Sequence, residues 1–458
     1  MSTLAGALSI GVRALMAQQA ALGTTTSNIA NVNTEGYVRR RPLLKEQEPV
    51  TYGSSLRFGT GVEFAGDRSV RDRVLELQIV GATGEYSAET AFADAVRPIE
   101  NLFTNQDAGI AGALNEFFNS LTALTATPQE LPARQRVLTA AEDLSASFRE
   151  TSLGISEAQQ QIDISISAAV AEVNELARQV AGVNGEVSKR EMLGQDTGSY
   201  EDRRTELLKQ LSSLVGISVA RADEGITVTT ANGTPLAVGS RSFSLAVVDD
   251  PVTGMQRIHD AFGDITQSLT GGQIGGLLRA RDNAFPDLQT ELDELAANLA
   301  NALNDAHRQG TDLSGIPGQE LFTLPVNGTQ RTAASLKVAI NSPSQIAASS
   351  DGKSGSNGNL EKLLSVSSSK IISGQSPIDA LSSLVFRVGN LVAHAEAESE
   401  AADVSLGLLI DQRGAVSGVS LDEEAANLIR FQRAYQAAAR VISIVDEMTA
   451  VAINLGRS

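Results

Sequence analysis

The sequence predicts a mainly α protein with an inserted β domain. Its terminal helices pair as a coiled coil, followed by a helical rod domain and a small β-rich outer domain. Three observations predict this. The hydrophobic residues, 42% of the 458-residue chain, are mainly Ala, Leu, Val and Ile, with only 4% aromatics, which favours long helices over a large all-β fold. Apolar residues recur at helical steps at both extreme ends. Near residue 216 the pattern switches to period two around an Asn-Gly pair.

From the start, Leu8, Leu15, Leu22 and Ile29 recur at steps of seven, with Leu4 and Val12 on nearby turns. The polar run Thr24-Thr25-Thr26-Ser27-Asn28 has low helix propensity, so the C-terminal half of this first helix is expected to be weak. Asn33 and Gly36 are stop signals. Residues 38–64, with Pro42, Pro49, Gly53, Gly59 and Gly61, read as extended or loop. Helical texture runs from about Val70 to Leu214. Within it Pro98 is expected to break a helix, and Thr127-Pro128 with Leu131-Pro132 to mark a turn. Gln135 to Val187 carries Ile155, Ile162, Ile166, Val173, Leu176 and Val180 at helical spacing, and its length suggests a rod-like hairpin of helices. A loop at Gly194–Tyr200 leads into a helix to about Val215.

Ile217-Ser-Val, Ile226-Thr-Val-Thr-Thr, Leu236-Ala-Val and Phe243-Ser-Leu-Ala-Val then alternate, and Asn232-Gly233 predicts a hairpin. Pro235 points to an edge strand. Gly271-Gly272 and Gly275-Gly276 close this region. A helix from about Asp287 to Arg308 follows, apolar at Leu288, Leu292, Leu295, Leu299 and Leu303. Residues 309–359 read mostly as loop, with a candidate strand at Leu336–Ile340 and a flexible Ser/Gly/Asn-rich stretch from Ser349 to Asn359. Helices resume near Leu360. In the last segment Ser420 and Glu423 form an expected capping box. Leu428, Phe431, Tyr435, Ala438, Ile442, Val445 and Ala452 follow at steps of three and four, with Thr449 the polar member and Val441, Met448 and Leu455 widening the face. Asp422 and Glu424 in the first turn suit the helix dipole.

This gives an inner coiled-coil domain of 1–50 plus 410–458, a helical rod of 55–215, 271–312 and 360–409, and a β-rich outer domain of 216–270, with 318–345 as its candidate extension. The net charge of −18 is unevenly placed: residues 1–50 carry +2 and 411–458 carry −1, leaving −19 between. Near-neutral ends suit packing, and an acidic middle suits solvent. Isolated helices are marginal in water, so these ends need partners. The acidic balance argues against a nucleic-acid binder. The chain has no Cys, which excludes disulfides, thiolate metal sites and Cys nucleophiles. Ala14–Thr34 is uncharged but too polar to span a membrane. The opening residues lack a basic n-region, so no secretory signal is expected.

Other motifs carry little chemistry. Gly352-Lys353-Ser354 ends like a phosphate loop, but Ala347 stands where that loop needs glycine. His259, His307 and His394 have no metal-ligand spacing, so no metal or other cofactor is expected; His307 reads as a hydrogen-bonding residue at a helix end near Gly310. Arg39-Arg40-Arg41 reads first as a solvated turn and second as an inter-subunit salt-bridge site. Glu423-Glu424 reads as helix capping rather than a catalytic carboxylate pair, and Phe431 and Tyr435 as bundle core.

The segment from Gln19 to Tyr37, QAALGTTTSNIANVNTEGY, resembles the N-terminal signature of bacterial flagellar axial proteins of rod, hook and hook-associated type. The segment from Val419 resembles the matching C-terminal signature. Gly59-Thr-Gly-Val62, Arg71–Gln78, Glu201–Leu208, Gly275–Asp282 and Asn304–Gly315 narrow the resemblance to the hook-filament junction family, over nearly the whole chain.

The resemblance implies a structural adaptor without enzymatic activity, joining hook to filament. It implies export unfolded through the flagellar type III apparatus without a cleaved signal peptide, and an extracellular place on the flagellum. It further implies self-assembly into a ring through the terminal helices. The expected interface is Leu8, Leu15, Leu22, Ile29, Leu428, Phe431, Tyr435, Ile442, Val445 and Leu455. Its implied partners are the hook protein, a second junction protein leading to the filament, and an export chaperone on the C-terminal helix, with no nucleic acid and no membrane insertion. A hook or distal-rod protein is the alternative within the superfamily; it leaves the long helical region 130–215 poorly explained. An extracellular enzyme or adhesin on the same scaffold is a third reading, but 216–345 shows no catalytic constellation.

Overall fold

The computed structural model describes the chain except residues 1, 35, 53–55, 105–108, 223–224, 324–331 and 456–458; the side chains of 2, 3, 50–52, 56–58, 104, 222, 332 and 455 are likewise outside the description. The first helix, α1 (Ser2–Ala30), runs unbroken through its polar half. The expected weakness is overridden by tertiary partners. The Thr24 hydroxyl donates to Asp67 at 2.6 Å, and the Asn28 amide donates to the Arg40 carbonyl at 2.8 Å. Strand β1 (Arg40–Glu46) is followed by β2 (Val50–Tyr52), β3 (Leu56–Phe58) and β4 (Val62–Ser69). β1 pairs antiparallel with β4, β2 pairs with β3, and α1 lies against β1 and β4.

Helix α2 (Arg73–Thr104) contains Pro98 rather than ending at it. A proline there removes one hydrogen bond and costs roughly 3 kcal/mol. Val96 and Ile99 beside it are buried in the central core, which offsets that cost. Helices α3 (Ile110–Leu124) and α4 (Leu131–Met192) flank the expected proline turn. α4 is one helix of 62 residues, not a helical hairpin. At 1.5 Å per residue it spans about 93 Å. No cluster of turn residues interrupts it, and Ala141, Phe148, Ile155, Ile162, Ala169 and Leu176 stay buried at successive steps of seven. Helix α5 (Gly198–Leu214) packs back on α4 and α2.

The β insert follows as β5 (Ile217–Ala222), β6 (Gly225–Thr230), β7 (Pro235–Val238) and β8 (Arg241–Ser242) in one antiparallel sheet in that order, with a hairpin of β9 (Ala246–Asp249) and β10 (Gln256–His259). Asn232-Gly233 makes the β6–β7 turn, with Gly233 at φ +93°. Pro235 is not on an edge strand: β7 lies between β6 and β8, and the proline occupies its first position, where a missing N–H is tolerated. Polar side chains strap this region to α4. Asn174 accepts from the Leu245 N–H and donates to the Leu245 carbonyl, each at 2.8 Å, and Asn184 donates to the Gly239 carbonyl at 3.0 Å.

Helix α6 (Gly272–Arg279) passes through a π-helical turn at Ala280–Ala284 into α7 (Phe285–Arg308). Gly276 is needed because a Cβ there would lie 2.1 Å from the Ala88 carbonyl oxygen of α2. Arg279 pairs with Glu89, and Arg281, in the π turn, reaches Asp163 of α4 at 2.6 Å. β11 (Phe322–Thr323), α8 (Thr332–Ser335) and β12 (Lys337–Val338) follow. The β11–β12 pair lies against α7 and α4 rather than extending the outer sheet. Helices α9 (Leu360–Ser365), α10 (Pro377–Ser417) and α11 (Leu421–Leu455) complete the chain, with α10 lying along α2.

The Ser/Gly/Asn stretch before α9 is held rather than loose. Asn359 is fully buried and donates to the Ala306 and Ala347 carbonyls at 3.0 and 2.8 Å. His307 sits at the centre of this cap, fully buried. One ring nitrogen, Nδ1, lies 2.6 Å from the Gln319 carbonyl and the other, Nε2, accepts from the Ala347 N–H at 2.9 Å, a pattern that suits the neutral ring. Burial lowers the His307 pKa from its ordinary 6.5, against a raising contribution from Gln319. The unfolded chain therefore binds this proton first, and its contribution to stability is complete above pH 6.5 and lost as pH falls below it. The Ala347 amide should exchange faster with solvent as pH drops from 7.5 to 5 after correction for intrinsic rate. His307→Gln should remove that pH dependence while weakening the cap by about 1–3 kcal/mol.

Candidate assembly interface

Helices α1 and α11 lie against each other, antiparallel: Asn28 meets Glu424, and Gly11 meets Ile442. A Cβ on Gly11 would stand 2.9 Å from Ile442 Cγ1, so the small residue sets the separation of the two helices. On α11 the buried positions are Glu424, Phe431, Ala438 and Val445, at steps of seven. On α1 the buried apolar positions are the small Ala17 and Ala21. None of these joins the continuous core of the helical body.

The sequence-derived interface residues divide accordingly. Phe431 and Val445 are buried between the helices. Leu8, Leu15, Leu22, Ile29, Leu428, Tyr435 and Ile442 are half-buried. The Leu455 side chain lies outside the described residues. A second apolar stripe is left exposed on α11: Val441, Ile444, Met448 and Val451 at 46%, 56%, 55% and 58%, with Met16 of α1 at 63%. The seven-residue period of the sequence found the inner face but missed Ile444 and Val451; the 3-4-3 spacing of these four residues was the available signal.

A polar lock joins the pair at its base. Arg39 is 8% exposed, so it is not part of a solvated turn. Its Nε donates to Glu424 Oε1 at 2.7 Å and its Nη1 to Glu423. The other Glu424 oxygen accepts from Asn28 at 3.1 Å, and Asn28 in turn accepts from the Tyr37 hydroxyl and the Arg40 N–H. Burial opposes the Arg39 charge, yet its hydrogen bonds to the Glu423 and Glu424 carboxylates and their charges outweigh it and raise its pKa. Glu423 therefore faces Arg39 rather than completing a capping box; its own N–H reaches Ser420 Oγ only at 3.5 Å.

A second network fastens this lock to the helical body. Arg40 pairs with Asp202 of α5 at 3.2 Å, and Asp202 also receives Arg71. Glu201 lies 3.6 Å from Arg71, and Glu76 of α2 accepts from Arg413 of α10 at 2.8 Å. Burial raises the Asp202 pKa above the ordinary carboxylate value, and the pull of Arg71 and Arg40 offsets only part of that rise. Among the described residues there is no cluster that could hold a metal, and no helix is long and apolar enough to cross a membrane.

Removing one partner of a buried pair strands the other and costs about 3–5 kcal/mol, whereas an exposed partner is worth under about 1 kcal/mol. Glu424→Ala should therefore release α11 to rapid hydrogen exchange, and Glu423→Ala should change it little. Equal effects of the two would contradict the lock.

Comparison with known proteins follows the same geography. The model of the flagellar hook-associated protein FlgK helical domain matches residues 96–322. Basal body rod protein models match the two ends, at 8–37 and 412–455. Flagellar hook-associated protein 1 of Salmonella typhimurium is 27% identical, covering 96% of this chain and 98% of that protein. The protein of that name from Bacillus subtilis is 30% identical, covering 96% of each. In fold, the chain is similar to the flagellar hook junction protein FlgK from Burkholderia pseudomallei, with a TM-score of 0.67 and 17% identity over 74% of this chain and 100% of that one. A full-length match at this identity, with terminal helices and helical body each in place, shows that the chain belongs to the flagellar hook-associated protein 1 family.

Proposed function

We propose that this chain is a structural adaptor at the hook–filament junction. It is exported unfolded by the flagellar type III apparatus and assembles as a ring through its terminal helices. The observation that supports this best is the α1–α11 pair, locked at its base and apolar on a second, uncovered face. In this reading 1–50 and 410–458 form the inner layer, 55–215, 271–312 and 360–409 the helical wall, and 216–270 the outer β domain. The hook protein lies on one side of the ring and a second junction protein, leading to the filament, on the other. The C-terminal helix is the segment an export chaperone would cover.

Magnitudes favour many neighbours over one. Burying the exposed half of Val441, Ile444, Met448 and Val451 gains about 3–6 kcal/mol. Bringing two free chains together costs on the order of 4–15 kcal/mol. A single contact of this size is therefore weak, while a copy wedged between two neighbours counts the gain twice. This fits a protein that stays monomeric until it reaches a template. The thin core of the terminal pair fits the same logic, since its order is completed by neighbours.

The triple variant Val441→Ser, Ile444→Ser, Met448→Ser leaves the inner face intact. It should give a monomer with unchanged helical content that yields hooks without filaments in cells, with filament subunits lost to the medium. Normal filaments on such cells would overturn the reading. In the free chain, residues 1–35 and 425–458 should exchange hydrogen faster than α4; protection of both ends equal to that of α4 would sink assembly-coupled ordering.

A further inference from the structure

A cleft of about 190 Å³ opens where α2, α4, α5 and the β5–β6 hairpin meet. This is about six times the ~30 Å³ share of one liquid water. One part of its wall is apolar, formed by Val80, Val187, Leu208, Val219 and Ile226 with Leu77 at the rim, and charged side chains line the rest. One guanidinium in it stands apart. Arg71 and Arg73 are engaged with Glu201, and Arg221 lies 4.0 Å from Glu191. Arg204 is half-buried, and no carboxylate of the described residues lies within ion-pair distance. Its Nη1 makes a long hydrogen bond of 3.4 Å to the neutral Asn184. Burial lowers its pKa, and although Glu201 raises it, the neighbouring charges of Arg71 and Arg73 lower it further.

A planar guanidinium at an apolar wall matches a carboxylate on a short aliphatic stem: the fork takes two oxygens and the wall takes the methylenes. A doubly charged phosphate fits less well, because Glu76, Glu191 and Glu201 line the same cleft. We propose that this cleft is a carboxylate-binding site with Arg204 as its anchor. Such a carboxylate has two sources: a free small molecule, or an acidic side chain of a second copy, whose residues between the terminal segments are strongly acidic.

The test uses the full-length chain and butyrate, one carboxylate on a short aliphatic stem, as probe, read by methyl NMR. Butyrate should shift the Val219 and Ile226 methyls saturably, and inorganic phosphate at equal ionic strength should not. Arg204→Gln should weaken binding by at least about tenfold, and Arg204→Lys should restore part of it. Should Arg204→Gln fail to fold, Leu77→Trp at the exposed rim keeps every charge and should block the probe by bulk. Sedimentation at self-associating concentration separates the sources. Dissociation by saturating butyrate identifies a side chain of a neighbouring copy, and unchanged association identifies a free carboxylate. Absence of saturable shifts, equal shifts in Arg204→Gln, or equal shifts with phosphate would each overturn the proposal.

Discussion

The structure depends on the continuity of one helix. α4 supplies a spine of 62 residues, and most of the body is fixed by what it offers at each level. At its N-terminal end buried Arg134 donates to the Pro128 and Ile346 carbonyls and so anchors the segment before α9. In the middle Ser152 meets Gln289 of α7, and Asp163 takes Arg281. Towards the C-terminal end Asn174 and Asn184 carry the β insert. A helical hairpin of the same residues would be half as long and would place the β insert beside α3 instead of beyond it.

The motifs that carried the family resemblance turn out to be the polar joints of this architecture. In Gly275–Asp282 Gly276 allows close approach to α2 and Gly275 to the Thr270 backbone, and the arginines clamp α2 and α4. Asn304 and His307 satisfy backbone groups of the segment that follows α7. Arg71 and Asp202 tie the terminal region to the body. Each leaves a buried polar group unmatched if removed, which costs more than a lost surface contact.

What was legible in the sequence was periodic or local. The stripes at both ends, the Asn232-Gly233 hairpin and the turn at Pro128–Pro132 follow from spacing and turn chemistry. The misread features are those decided by distant partners. Pro98 remains helical because Val96 and Ile99 are buried in a core built from other segments. The polar half of α1 persists because Asp67 and Glu424 receive its side chains. Arg39 looked solvated because its partner lies 385 residues away, and spacing carries no information about such a pair. The same distance explains why Glu423 was read as a cap while Glu424, one residue on, holds the buried contact.

The antiparallel closure also sets an order of events. Asn28 and Glu424 are separated by 396 positions, so the first helix cannot meet its partner until almost the whole chain exists outside whatever confines it. Contacts this remote form late, after the body between them has shortened the path. The lock at Arg39 thereby acts as a check on completeness: a truncated or still-emerging chain lacks the second half of the clasp.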